Sequence, residues 1–388
     1  IYSKNIENVT TTGDFIVNGN FNGIVDDTHI PKFNIEIKSD NASFKYPDLP
    51  KAVRNVFFDI QLNNKTGIAE DTYVDINKAS FMIDEDRFNL TSNITELMGN
   101  TKVKAHVDGS MNLANISKAY PIPAGYNLKG LLKADVTTAF DMASVERKQY
   151  EKTNTTGNLS VANFEYNSVE LANPIKFTSA SLTFNPKTVT LNSLNGTTGK
   201  TDFDVTGTIN NLLGFMFNDE KVEGNFNLKS ERFALNDFMV AESETISTTN
   251  EGESGGTVQT EKIKIPSFLD ATINANAKQV IYDDIVLSDV TGVLKIKDET
   301  ATLSNMSSGL LGGKMSFNGA VSTKNENPTF AMKLNLNQLG IEETFKSIEL
   351  FKTIAPIAQI LKGKLTSDIS LSGNLTDDLL PNLLSLSG

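Results

Sequence analysis

Side chains able to do chemistry are scarce in this sequence. It contains no cysteine, which excludes thiol nucleophiles, Cys-based zinc sites and disulfide frameworks. Its two histidines are His29 and His106, and a Ser-His-Asp triad or a two-histidine metal site would have to use them. Neither has a recognisable spacing. There is no H-E-x-x-H, no G-x-S-x-G, no Walker loop and no G-x-G-x-x-G after a strand. Both histidines therefore read as ordinary strand or loop residues. The 47 acidic side chains supply carboxylate pairs by number alone, but spacing singles out no pair for acid–base work on glycans. The absence of tryptophan removes a common stacking platform for sugars. The expectation is a non-enzymatic protein with no metal and no cofactor. A formal charge of −12, with no cluster of Lys and Arg, argues against nucleic acid as a partner.

If no residue carries chemistry, the elements must carry the function. A length of 388 residues implies two domains or one elongated repetitive one. No run of eighteen apolar residues marks a transmembrane helix. The chain opens on polar sequence, Ile1-Tyr2-Ser3-Lys4, and stops within an alternating pattern, so it reads as a piece or mature portion of something longer. Most of it alternates with period two. Phe203, Val205, Gly207 and Ile209 share one face and Asp202, Asp204, Thr206 and Thr208 the other, as in strands with one apolar and one polar side. Asn195-Gly196, Gly312-Gly313, Asp108-Gly109 and Asn185-Pro186 read as the turns between strands. Helical signals are few. The clearest spans 341–362, with Glu342 and Glu343 in its first turn, Gly363 as C-cap and a kink expected at Pro356. A weaker one spans Asp141 to Lys152, and short helical turns are expected at Pro47–Pro50 and near Leu235–Phe238. The stretch 241–262 is acidic and rich in Gly, Ser and Thr, which predicts a flexible linker or loop.

An internal repeat organises the rest. Leu182, Phe184, Leu191, Leu194, Phe203, Val205, Gly207 and Ile209 recur later as Leu294, Ile296, Leu303, Met306, Met315, Phe317, Gly319 and Val321. A looser copy near the start includes Phe88, Leu90, Val107, Gly109 and Met111. The expected organisation is residues 1–240 as an N-terminal β region with two repeat copies, 241–262 as linker, and 263–388 as a C-terminal β region carrying the helix. Two architectures remain open. Duplicated β-sandwiches would seal the apolar faces against each other, giving a structural or adhesive protein of the cell envelope. An elongated, curved antiparallel sheet, mainly β and with few short helices, would instead leave its apolar face as a groove. In that case the candidate lining positions are Phe164, Tyr166, Phe177, Leu182, Phe184, Leu191, Phe203, Val205, Leu294, Ile296, Leu303, Met315 and Phe317. Each is equally an ordinary core position.

The segment Gly309-Leu310-Leu311-Gly312-Gly313-Lys314-Met315-Ser316-Phe317-Asn318-Gly319 resembles the "GG-strand-G" element of AsmA-like proteins. Gln338-Leu339-Gly340-Ile341 before a helix, and Leu361 to Gly373 in an l-x-G-x-l-x-x-x-l-x-l-x-G pattern, are similar to the next elements of that family. Ala42 to Pro50 resembles a recurring a-x-x-x-Y-x-x-L-P segment. The resemblance is strongest from Ile273 to Gly388. It implies a periplasmic protein tethered to the inner membrane by an N-terminal segment absent from this chain. It also implies kinship with bridge-like lipid-transfer proteins, hence phospholipid or another acyl lipid as ligand, a membrane or envelope protein as partner, and a role in outer-membrane assembly.

Overall fold

The computed structural model of the protein describes residues 10–47, 50–119, 127–147, 149, 152–167, 173–185, 188–212, 220–238, 265, 267–282, 285–347, 362–376 and 379–388. The fold is mainly β, as the alternation predicts, with 70% strand and 8% helix. So little helix leaves the strands to shield one another. Nineteen strands are found among the described residues, and they fall into two units. The first comprises residues 1–168, 175–196 and 208–220, the second residues 169–174, 197–207 and 221–388.

In the first unit the strands are β1 (Thr10–Thr12), β2 (Ile16–Asn22), β3 (Lys32–Lys45), β4 (Val53–Asn64), β5 (Tyr73–Ile83), β6 (Asp86–Thr95), β7 (Lys102–Asn112), β8 (Asn127–Asp141), β9 (Asn154–Asn167), β10 (Ile175–Phe184) and most of β11 (Val189–Thr198). Both β1 and β2 pair with β3, and from β3 to β10 each strand pairs antiparallel with the next. The second unit holds most of β12 (Thr201–Ile209), then β13 (Val222–Ala234), β14 (Leu269–Tyr282), β15 (Ile285–Lys297), β16 (Thr300–Leu310), β17 (Gly313–Ser322), β18 (Thr329–Gly340) and β19 (Lys364–Asn374). Strands β14 to β19 form an antiparallel meander. One pair departs from the expected antiparallel order: β13 and β14 are parallel. A parallel neighbour requires the connection from Ala234 to Leu269 to return along the strand. The predicted linker 241–262 belongs to that connection and lies outside the described residues.

The polar faces explain the abundance of Asn, Thr, Ser and Asp. Directly opposed side chains bond across the ladder. Asn93 donates to Asp75 at 2.7 Å and Asn89 to Asp108 at 2.9 Å. Thr291 pairs with Ser307 and Thr300 with Ser322, each at 2.9 Å. Such pairs knit a wetted face without needing partners of opposite charge.

Two predicted turns are not turns. Asn195-Gly196 lies inside β11 and Asp108-Gly109 inside β7. At Asp108-Gly109 the turn signal fails because the glycine is needed where the neighbouring strand comes close. Gly109 sits opposite Phe88 at φ +154°, and a Cβ there would meet Phe88 Cα at 2.9 Å and collide with the Arg87 carbonyl. Gly207 takes Phe226 in the same way, and Gly319 takes Met332. Turns do occur at Leu311-Gly312, one residue ahead of the expected Gly312-Gly313 because Gly313 already opens β17, and at Gly199-Lys200.

Simple alternation is interrupted at recurring bulges. Asn55, Asn163, Asp289, Asn305 and Gln338 adopt φ between 48° and 59° within strands. At these points the ladder register shifts. Asn and Asp tolerate this left-handed conformation better than most residues. The apolar residues flanking each bulge are three apart (Val53 and Val56, Val161 and Phe164, Leu287 and Val290, Leu303 and Met306, Leu336 and Leu339). The extra residue thus returns the next apolar side chain to the same face, and each bulge bends its strand.

The short helices sit at strand ends. Helix α1 (Leu113–Ala119), which the sequence pattern did not reveal, is tied down by Asn115, which donates to Asp86 at 2.8 Å and accepts from Lys51 at 2.8 Å. Helix α2 (Met142–Glu146) is shorter than the expected Asp141–Lys152. A 3-10 turn spans Leu235–Phe238, as predicted. Helix α3 (Ile341–Ser347) starts where expected, with Thr344 Oγ1 donating to the Gly340 carbonyl at 2.6 Å. The remainder of the predicted 341–362 helix through Leu361, including Pro356, lies outside the described residues, as do Asp48 and Leu49.

These local devices have measurable consequences. Gly109→Val should lower the stability to chemical denaturation by about 2–3 kcal/mol, because β6 blocks the added side chain. Asp141 caps α2, accepting from the Ser144 hydroxyl at 2.6 Å, from Asn100 Nδ2 at 2.9 Å and from the Ser144 amide at 2.9 Å. These bonds lower its pKa from 3.8 to about 2. A depressed carboxyl stabilises the fold above its unfolded pKa and ceases to do so as pH falls through the folded one. Melting temperature should therefore drop between about pH 4 and pH 2, and Asp141→Asn should flatten that part of the profile.

Candidate functional site

The two histidines sit in different surroundings. His29 Nδ1 lies 2.9 Å from both Asp26 Oδ1 and Thr28 Oγ1, so acid and hydroxyl crowd one ring nitrogen instead of bracketing the ring as a triad requires. The Asp26 carboxyl is held well below the usual range by the Thr28 amide and then by the His29 side chain. His106 lies on the polar face, with Nδ1 2.9 Å from Thr137 Oγ1 and Nε2 3.6 Å from Asp108. Among the described residues no group of three or more His, Asp or Glu is placed to hold a metal.

The apolar faces are organised differently. Ladder register places large apolar side chains in rows that cross the strands. In the first unit one row runs Gly19, Ile35, Leu62, Val74, Ile94, Val103, Phe140. Another runs Phe58, Ala79, Leu90, Val107, Val136, Gly157, Phe184. In the second unit a row runs Phe226, Ile273, Leu294, Leu303, Gly319, Met332, Leu371. Seven strands at a spacing near 4.8 Å make each row about 29 Å long.

What covers these rows decides their role. Within each unit the strands make their substantial contacts only with ladder neighbours, so no second sheet lies across either face among the described residues. Every non-glycine member of the Ile35–Phe140 row and of the Phe226–Leu371 row is half-buried, neither sealed nor fully exposed. The shielding that exists is lateral. In the second unit Ala277, Val290, Met306 and Phe317 form a buried cluster, packed round by Phe233, Leu287, Leu303, Met315 and Met332 from adjoining strands. A second cluster, Leu310, Leu336 and Leu339, occupies the end of the sheet beside α3, and Leu339 is 0% exposed.

The predicted lining residues divide accordingly. Phe184, Leu191 and Phe317 are buried. Phe164, Tyr166, Phe177, Leu182, Phe203, Val205, Leu294, Ile296, Leu303 and Met315 are half-buried. Phe164 and Phe177 oppose each other and stack with centroids 5.1 Å apart. Leu294 opposes Leu303, while Leu182 opposes Leu159. Selecting residues by repetition missed partners that lack a repeat copy, such as Ile35, Leu62, Ile273, Met332 and Leu371. Plain alternation in Phe33-Asn34-Ile35-Glu36-Ile37 and in Ile369-Ser370-Leu371 marks several of them.

At one end of the first unit a hollow of about 530 Å³ opens among Phe21, Phe33, Asn20, Asn22, Asn34, Asn64, Lys32 and Lys65. The Phe21 and Phe33 rings lie 5.9 Å apart. The Lys65 ammonium sits 5.5 Å from the centroid of the Tyr73 ring, and its pKa is raised, chiefly by a hydrogen bond to Tyr73. Two aromatic rings, four asparagines and two lysines thus line this hollow.

No protein-family model, no curated protein and no solved structure matches this chain. Burial alone separates scaffold from available surface. Phe317→Ala should cost about 3–5 kcal/mol in chemical denaturation, as for a packed core aromatic. Leu294→Ser, on the half-buried row, should cost less than half as much.

Proposed function

We propose that the apolar faces of this protein bind the acyl chains of phospholipid or a similar lipid, without catalysis, in the manner the AsmA-like resemblance implies. The observation that carries this reading is the set of half-buried apolar rows with no second sheet laid over them. An acyl chain leaving water gains about 0.8 kcal/mol per buried CH₂, so such a row attracts lipid with no specific polar contact. A row of about 29 Å exceeds one acyl layer, which is half of a hydrocarbon core of about 30 Å. Lys32 and Lys65 beside Phe21 and Phe33 suit an amphiphile with an anionic head. The adhesive-sandwich alternative calls for sealed faces and is less well supported by half-buried rows. On the same reading the protein works in the periplasm, tethered to the inner membrane and contributing to outer-membrane assembly.

Native mass spectrometry with lipid extraction tests the reading. The purified chain should retain lipid above a control protein prepared alongside it. Leu294→Asp combined with Met332→Asp should lower the retained lipid several-fold, since a carboxylate on the row must be desolvated by any bound chain. Lys295→Asp, on the opposite face, should change it little. Lipid-free protein, or equal retention in all variants, would refute the proposal.

A further inference from the structure

Strand β2 stands out on the surface. It pairs with β3 along one side only, and every residue in it is exposed. The stretch from Phe15 to Val25 reads FIVNGNFNGIV and contains no charged residue and no proline. Its large apolar members are open to solvent: Phe15 58%, Ile16 56%, Val17 64%, Phe21 64%, Ile24 75% and Val25 73% exposed. Edge strands are normally blunted by lysine, proline, a bulge or a covering segment. The outer side of β19 shows one such device, since Ser372 exchanges two backbone bonds of 2.9 Å with Ser387. Among the described residues β2 has none.

The order of residues in β2 indicates what it fits. Ile16-Val17-Asn18-Gly19-Asn20-Phe21-Asn22 is nearly symmetric about Gly19. An antiparallel copy registered with Gly19 against Gly19 would set Asn18 against Asn20 on one face and Val17 against Phe21 on the other. Both pairings are already used inside the chain or are favourable in general. Opposed asparagines bond at Asn34–Asn63 and at Asn227–Asn274, the latter at 3.1 Å. An aromatic facing a β-branched residue is a favourable cross-strand pair. A two-fold contact must present the same patch from both sides, and in this register only Ile16 against Asn22 lacks a partner of its own kind.

We propose that β2 is the edge through which two copies of this chain pair antiparallel, about a two-fold axis at Gly19. The pairing joins the Val17–Phe21 side of one copy to that of the other, so the apolar rows ending on β2 continue across the axis. It is independent of whether those rows carry lipid.

Sedimentation velocity at tens of micromolar tests this on the whole chain. The unmodified protein should sediment as a dimer. Val17→Glu with Phe21→Glu should give a monomer, because each glutamate would face another across the axis. Val17→Lys with Phe21→Glu should restore the dimer, because that register sets each lysine against a glutamate. Both positions are exposed, so unchanged thermal melting would show that the variants fold. A monomeric unmodified chain, a dimer that survives the double glutamate, or a lysine–glutamate variant that stays monomeric would each overturn the proposal.

Discussion

A sheet packed by a second sheet hides its apolar side for nothing more than the cost of alignment. Among the described residues the strands of this protein lack that cover within either unit. Their cohesion rests on the backbone ladder, strand after strand, and on side chains that shield one another along a single face. That constraint accounts for most of what is unusual in the chain. Rows such as Ile35 to Phe140 and Phe226 to Leu371 stay half-buried, and full burial occurs mainly where lateral neighbours crowd together, as around Phe317 and Leu339.

Local devices serve the same end. The bulges at Asn163, Asp289, Asn305 and Gln338 keep apolar side chains on one face where strict alternation would move them to the other. They also bend the strands, bringing side chains of that face into the lateral contact that substitutes for a second layer. Gly207 and Gly319 leave volume that the Phe226 and Met332 side chains occupy, and Gly109 lets the backbone at Arg87 and Phe88 come close. On the far face, Asn–Asp and Thr–Ser pairs spend the polar side chains on one another and on water. Function, if lipid is the ligand, is the consequence of leaving a face uncovered, which is why no reactive constellation is needed.

Much of this was legible in the sequence. Period-two alternation announced the strands, and the start of α3 at Ile341 was marked by Glu342 and Glu343. The apolar residues that the repeat picks out in β10, β15, β16 and β17 are buried or half-buried. What was not legible depends on long-range partners. Asp108-Gly109 looks like a turn until Phe88 is known to lie opposite. Asn305 looks like a break in the pattern until the ladder shows that it preserves the face. The parallel pairing of β13 with β14 has no local signature, because only the connection between them decides it. Burial was the least legible: Leu303 and Phe317 look alike in sequence, yet one is half-buried and the other 8% exposed.

Leu294 and Lys295 are consecutive residues on opposite faces of β15, and they offer the most direct test of whether the apolar face is open to ligand. A photoreactive phenylalanine analogue placed at either position, irradiated with the protein in contact with radiolabelled phospholipid, reports which face lipid touches. The account predicts crosslinked lipid from position 294 and little from position 295. Equal labelling of both faces, or none from position 294, would contradict it.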